Sequence, residues 1–531
     1  MDLDGAVREW QAALGAERVR VDPPTLGRYG TCTTGMGVPP VAVLHPASVE
    51  DVQAIVRIAA VARVGLYPIS TGRNWGYGSA GPMVDGCAVV DLSTWRKIEP
   101  IDKALGLFAL EPGVTQQDLA DFLQHNRLRF MVPVSGAGPT ASIVGNALER
   151  GYGITPFIDH FAAVTRIEAV LPNGERYRTL LGELGATDVD HAFKWGVGPY
   201  VDGLFAQGAF GIVTRVTVAL APRPQRVQAF VFELRDDAML EPAIEAVREV
   251  LQRLPGVAGG INLMNAHRVL AMSVPHPRQR DPDAGPLAGA LAETLFRKHR
   301  VTPWLGLGAI YGTTGIVRAA RAEIGRMLRR RGMKPRFVDR QRLRSVAWVG
   351  RALVPLGAPK LATLTHRLGE VLRLLEGLPT NVALPLAYWK SGTRGMGPAD
   401  PAADGCGLIW YSPLVPMNPG RARDYVRLVE AICIRHGFEP LITLSSVGAW
   451  CFDSTVPILF DPQRKEEAER ARACHTELLE SGCARGFVPY RLGIQSMGFA
   501  LGRAGAAAEL LSTLKRSIDP NAIIAPGRYC R

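Results

Sequence analysis

The chain has 531 residues, 47% of them apolar and 21% charged, too long for one ordinary core and too apolar for a disordered chain, so two or three globular domains are expected. The formal charge is +12, and no apolar run approaches the ~20 residues of a membrane helix. Met1 to Ala12 carries three acids where a secretory signal would run from a basic start into an apolar core, so a cytoplasmic protein is expected.

Taken in chain order, Ser48 to Asp51 resembles a capping box, and Val52, Ile55, Val56 and Ala59 follow at helical spacing up to Gly65, which predicts a helix over 49–64. Leu66 to Ser70 reads as a strand running into the glycine-rich loop Thr71-Gly72-Arg73-Asn74-Trp75-Gly76-Tyr77-Gly78, and Ala88 to Leu92 as the next strand. A strand at Leu105 to Leu110, a Pro112-Gly113 turn and a helix from Thr115 to His125 repeat the pattern. Val164 to Leu171 and Glu175 to Thr179 read as a hairpin around Asn173-Gly174, because Asn-Gly tolerates positive φ. The strand Gly211 to Leu220 ends at Pro222-Arg223-Pro224, where a domain boundary is expected.

From 225 to 487 the chain reads as richer in long helices, with loop-like interruptions at His276 to Pro286 and Ser391 to Gly405. Arg326 to Arg344 is the densest basic stretch. It lacks interleaved aromatics beyond Phe337 and reads as a helix end followed by a solvated loop, with no nucleic-acid role. Docking of an acidic electron-acceptor protein is the alternative use of that charge. The last segment carries a helix over 505–517, then Asp519-Pro520-Asn521, a strand-like Ile523-Ile524 and Ala525-Pro526-Gly527-Arg528. The eight cysteines and ten histidines are scattered without ligand spacing, so neither a metal site nor a disulfide framework is expected.

Three segments carry chemistry. The loop 71–78 is neither a Walker loop nor G-x-G-x-x-G. Its glycines still permit close backbone approach to a diphosphate, with Ser70, Thr71 and Asn74 as added donors. Residues 139–153 (PTASIVGNALERGYG) and 195–213 (WGVGPYVDGLFAQGAFGIV) set small and amide residues against apolar ones, as a backbone-lined cofactor groove requires.

Together TGRNWGYG (71–78), SIVGNALERGYG (142–153), Asp159-His160, GPYVDGLF (198–205) and DPNAIIAPGR (519–528) resemble the vanillyl-alcohol oxidase and para-cresol methylhydroxylase flavoproteins. The resemblance implies an α+β chain in which residues 1–223 and 488–531 form a two-part FAD-binding domain. Residues 224–487 would be an inserted cap whose sheet covers the flavin ring. It places Thr71, Gly72, Arg73 and Asn74 on the FAD diphosphate and Ser142, Asn146 and Gly153 along the groove toward the ring, with backbone contacts from Ile212. A phenolate clamp of two tyrosines and an arginine falls on Tyr77, Tyr490 and Arg491, with Arg528 nearby. An oxyanion held by such donors is stabilised by charge-assisted hydrogen bonds.

Three positions depart from the family. Ser135 to Gly138 has no acid, so no active-site base is visible. Ile154 stands where many relatives have tyrosine, and Leu408 stands at the flavin-attachment position, so a non-covalent FAD is expected, with Cys406 as the alternative anchor. The expected activity is oxidation of a 4-alkylphenol, benzylic alcohol or acidic enol, with oxygen or an acceptor protein reoxidising the flavin, in a homodimer. The alternatives are a tailoring flavoenzyme of secondary metabolism with a non-phenolic substrate and a flavin-binding protein without turnover.

Overall fold

The structure is a computed structural model that describes residues 2–277, 286–341, 343, 359–391, 398–502 and 505–530. Most of the loop expected at His276 to Pro286, part of that at Ser391 to Gly405 and the end of the basic stretch lie outside the described residues.

The N-terminal region holds two sheets. The first contains β1 (Val19–Arg20), β2 (Ala42–Leu44), β3 (Gly65–Ile69) and β4 (Cys87–Asp91), ordered β1-β2-β4-β3, with β2, β4 and β3 parallel. The helix Val49–Ala62 crosses between β2 and β3 and buries Val52, Ile55, Val56 and Ala59 against them. It starts where Ser48 accepts from Asp51 N at 3.1 Å and stops at Arg63 in a left-handed conformation. The second sheet is antiparallel, ordered β5-β6-β9-β7-β8, from β5 (Ile98–Asp102), β6 (Leu107–Leu110), β7 (Val164–Val170), β8 (Arg176–Tyr177) and β9 (Ile212–Ala219). The β7/β8 hairpin turns at Gly174, whose φ of 82° explains the Asn-Gly. The full Thr115/Asp118 capping box opens the helix Gln116–His125. The C-terminus returns here: Ile524 bridges Leu66 in parallel, and Ala525 N donates to Leu66 O at 2.8 Å.

The middle of the chain is organised by a sheet, whereas its composition suggested mainly long helices. β10 (Arg226–Leu234), β11 (Asn262–Asn265), β12 (Trp304–Gly312), β13 (Arg336–Val338), β14 (Gly407–Tyr411), β15 (Leu414–Pro416), β16 (Thr443–Ser446) and β17 (Cys451–Phe460) form an antiparallel sheet, ordered β13-β10-β12-β11-β16-β17-β14, with β15 also on β17. The helices Leu240–Arg253, Thr314–Arg330, Pro419–Arg435 and Lys465–Ala484 pack on one face, burying Ile244, Ile324, Tyr425 and Leu478 in one core with Phe232, Ile409 and Phe452. The basic stretch therefore differs from expectation: the helix ends at Arg330, and Arg336–Val338 then pairs with Ala229–Val231 as an edge strand instead of remaining loop. Among the described residues no helix is long and apolar enough to cross a membrane.

The opposite face of this large sheet carries the site. Period-two alternation turns Asn262 and Met264 of β11, Leu307 of β12, Thr443 and Ser445 of β16, and Asp453 and Thr455 of β17 to that face, and all seven line one cavity. The register sets Leu307, Asn262, Ser445 and Asp453 in one cross-strand row and Met264, Thr443 and Thr455 in the next.

Candidate active site and flavin groove

The cavity encloses about 510 Å³, within the range of small-molecule sites. It lies between the glycine loop, the segment 134–154, the C-terminal tail and the large sheet. Twelve of the thirteen residues expected at the site line it: Ser70, Thr71, Gly72, Arg73, Asn74, Tyr77, Ser142, Asn146, Gly153, Tyr490, Arg491 and Arg528. Ile212 does not. Its side chain is fully buried in the core beside β3 and β4, while its neighbours Gly211 and Val213 line the cavity.

The glycine loop leaves the end of β3 and makes an anion cradle. Among the described residues, no acceptor takes the amides of residues 71–75, so they are available to an oxyanion. Gly76 is required by contact: a Cβ there would stand 2.2 Å from Trp410 Cδ1, so only glycine lets the indole lie against the loop. Ser142 caps the helix Ile143–Leu148, accepting from Gly145 N at 2.9 Å and donating to Pro112 O at 2.6 Å, and its amide donates to Thr71 Oγ1 at 3.2 Å. The loop and the helix start are thereby locked together. Gly153 has no room for a side chain, since a Cβ would meet His160 Nε2 at 2.4 Å. Burial pushes His160 down to about 4, so its neutral ring accepts at Nδ1 from Asn146 Nδ2 at 2.5 Å. Arg73 differs from the free diphosphate ligand expected: it forms an ion pair with Asp400, which also accepts from Trp75 Nε1 at 3.1 Å.

The clamp residues meet. The Arg491 guanidinium sits 4.4 Å from the centre of the Tyr77 ring and donates to Asn74 Oδ1 at 2.5 Å. Tyr77 OH pairs with Ser412 Oγ at 2.8 Å, and the Tyr490 ring packs edge-on against Tyr152 at 5.2 Å. Burial pushes the Tyr77 hydroxyl up to about 12 against the pull of Arg491. Burial, reinforced by Asp453, carries Tyr490 well above its ordinary value. Both remain hydroxyl donors, as an oxyanion needs. Arg528 is placed differently from the clamp role expected of it: it ion-pairs with Glu149 and donates to Tyr67 OH at 2.8 Å. Burial works against the Arg491 charge, but Glu149, 3.5 Å from its Nε, together with Tyr77, Tyr490 and Tyr529, more than offsets this, and Glu149 pairs with both arginines.

Two acids here went unassigned at the sequence level. Glu149 lies within a quoted motif, and only the fold shows that two distant arginines converge on it. Asp453 had no signal at all. It is 6% exposed, its Oδ1 has no hydrogen-bond partner, and burial pushes it up to about 7, with Arg491 alone pulling it back. An acid titrating near neutrality beside a guanidinium and two tyrosines can move a proton. The large sheet thus places an acid in the cavity, whereas Ser135 to Gly138 has none.

Residues 40–180 match the model of an FAD binding domain. Over 99% of its length the chain is 35% identical to 1'-carboxy-chondrochloren decarboxylase of Chondromyces crocatus, covering 97% of that protein. It is 26% identical to the flavoprotein subunit of 4-cresol dehydrogenase (hydroxylating) of Pseudomonas putida, with 99% of this chain and 95% of that one covered. The chain belongs to the para-cresol methylhydroxylase flavoprotein family. The structure of p-cresol methylhydroxylase with substrate bound superposes with a TM-score of 0.86 at 26% identity, covering 99% of this chain and 96% of that one. As a member of this flavoprotein family the protein is an FAD-dependent oxidoreductase. The free amides of the glycine loop and the groove past Ser142 and Gly153 fit that cofactor.

Proposed function

We propose that the protein oxidises a small para-substituted phenol held as its phenolate by Tyr77, Tyr490 and Arg491, with a 4-alkylphenol as the simplest substrate and a benzylic alcohol or acidic enol as close variants. The observation that carries this reading is the convergence of the Arg491 guanidinium on Tyr77, with a second part-buried tyrosine, Tyr490, and Asp453 in the same cavity. When bound, FAD supplies the hydride acceptor. Asp453 takes the phenol proton, and the Arg491 charge and two hydroxyls hold the resulting oxyanion. Electron density then reaches the para carbon, so loss of a benzylic hydride leaves a neutral quinone methide. Glu149 holds Arg491 in place, and residues 71–75 with Ser70, Ser142 and Asn146 bind the diphosphate and line the groove.

We place the divisions at 1–223, 224–487 and 488–531, with the middle segment as cap, and propose a homodimer that passes electrons to oxygen or an acceptor protein. The FAD is held without a covalent bond. Leu408 lines the cavity and has no nucleophile, while the Cys406 thiol is buried outside the cavity lining and pushed up to about 11.

A second outcome of the same oxidation, suited to a tailoring enzyme of secondary metabolism, is favoured by the full-length likeness to a decarboxylase. With a carboxylate on the carbon next to the benzylic one, a hydride goes to FAD and the bond to the carboxylate carbon then breaks. Carbon dioxide leaves, and its electron pair forms the side-chain double bond as the ring regains its phenolate.

Anaerobic mixing of the FAD-loaded protein with a panel of 4-alkylphenols, aryl alcohols and acidic enols tests the reading. Bleaching by phenols is expected. Bleaching by no phenol, aryl alcohol or enol of the panel refutes it.

A further inference from the structure

The phenolate clamp leaves a second guanidinium in the cavity without a role. Arg268 lies on the helix Ala266–Ser273, which follows β11 directly, and its amide donates to the capping Asn265 Oδ1 at 3.0 Å. The side chain lines the cavity. Its Nε and Nη1 are shut off from water and, among the described residues, meet no acceptor and no carboxylate. Among the described residues its one charge-related contact is the Trp410 ring, 6.0 Å from Cζ, at the limit of a useful cation–π distance. Burial pulls the guanidinium down to about 10.

The other buried arginines are answered. Arg423 faces Asp237 and Glu241, and Arg491 and Arg528 share Glu149. A largely desolvated cation that meets no acceptor among the described residues is strongly unfavourable, so a cavity that keeps one is built for a ligand that brings the counter-charge. Placement narrows that ligand. Arg491 is the one charge that acts on Asp453, and no charge acts on Arg268 among the described residues, so the second guanidinium stands apart from the Asp453 end of the cavity. A molecule reaching from the clamp to Arg268 carries two anionic groups joined by a side chain that spans the cavity.

We propose that Arg268 binds a carboxylate on the substrate's side chain, so that the substrate class is a para-substituted phenol bearing a carboxylic acid. This rests on the phenolate reading of the same cavity. Arg268 sets specificity, and the carboxylate is held away from the Asp453 end, where like charge would repel it.

The test uses the oxidised, FAD-loaded protein and three probes: 3-(4-hydroxyphenyl)propanoate, 4-propylphenol without the carboxylate, and 3-phenylpropanoate without the phenol. For the two phenols, dissociation constants are read anaerobically from the concentration dependence of the flavin-reduction rate, and for 3-phenylpropanoate, which has no phenol to oxidise, from perturbation of the flavin spectrum. The wild type is expected to bind the hydroxyphenylpropanoate on the order of 10–100-fold more tightly than 4-propylphenol, the worth of one charge-assisted pair. Arg268→Gln abolishes that preference and leaves 4-propylphenol within about 3-fold, and Arg268→Lys restores part of it. Equal affinity of the two phenols in the wild type overturns the proposal. So does a loss of both phenols in Arg268→Gln, or a weakened FAD affinity with the preference intact, which would assign the guanidinium to the flavin. If 3-phenylpropanoate binds as tightly as its hydroxylated form and still depends on Arg268, the carboxylate site stands and the phenolate reading falls.

Discussion

Replacing Asp453 with asparagine separates its two consequences. Burial pushes this carboxyl from an ordinary 3.8 to about 7, and a shift of that size corresponds to about 4 kcal/mol of differential stability. The folded-state value lies above the unfolded one, so the folded protein holds the proton more tightly. The associated stability is complete below about pH 4, is lost as pH rises toward 7, and is absent above it. Asp453→Asn removes the titration, so its melting temperature should exceed the wild type's at pH 8, and the gap should shrink steadily toward pH 5. Its kinetics should move the opposite way. An acid that must be ionised to take the phenol proton makes flavin reduction rise with pH through about 7, and losing such a base costs about 10²-fold or more. Stopped-flow reduction and thermal melts across pH 5–8.5 measure both. An asparagine variant with the wild-type rate and pH profile, and a melting difference constant with pH, would refute the assignment.

Arg491→Ala should slow flavin reduction by about 10²-fold with FAD retained, since one lost charge-assisted donor at a developing charge costs roughly 3 kcal/mol. Tyr77→Phe and Tyr490→Phe should each cost less, and unchanged stopped-flow rates in all three would place the anion site elsewhere. Acid precipitation should leave all yellow colour in the supernatant, whereas a fluorescent flavin band on a denaturing gel would point to a covalent anchor. Glu439, held well below the ordinary carboxylate range although burial opposes it, because Lys390 sits 3.0 Å away, contributes stability that is present at neutral pH and lost on acidification. Glu439→Gln leaves that buried lysine only the more distant Glu467, at 3.8 Å, and should destabilise by about 3 kcal/mol in a urea melt at pH 7.

The two halves of the cavity differ in how far they were legible. The flavin half depends on backbone geometry written locally. Ser48 and the apolar spacing after it bring the helix Val49–Ala62 to within two residues of the expected end, and the glycines of 71–78 and 145–153 mark where backbone must come close. The substrate half is assembled across strands. β11 and β16 have four residues each and β13 has three, too few for alternation to show against the long helices around them. The register that sets Asn262 beside Ser445 and Ser445 beside Asp453 exists only once those strands pair. Asp453 sits inside an apolar run, Cys451 to Phe460, where a lone acid looks like the exposed face of an edge strand. Only the helices burying the far side of β17 reveal that its polar face closes a cavity. Arg268 was hidden for the same reason: a charged residue in the third position of a helix is ordinary on a surface, and it becomes informative only when no acceptor is found for it. The acid absent from Ser135 to Gly138 and the arginine without a partner then belong to one arrangement. Residues that hold the cofactor sit mainly on the N-terminal loops, while the proposed substrate contacts are split between Tyr77, Tyr490 and Arg491 on loops, Asp453 on the sheet and Arg268 on the helix after β11. Chemistry common to the family can therefore stay fixed while β11, β17 and the helix after β11 alter what is oxidised.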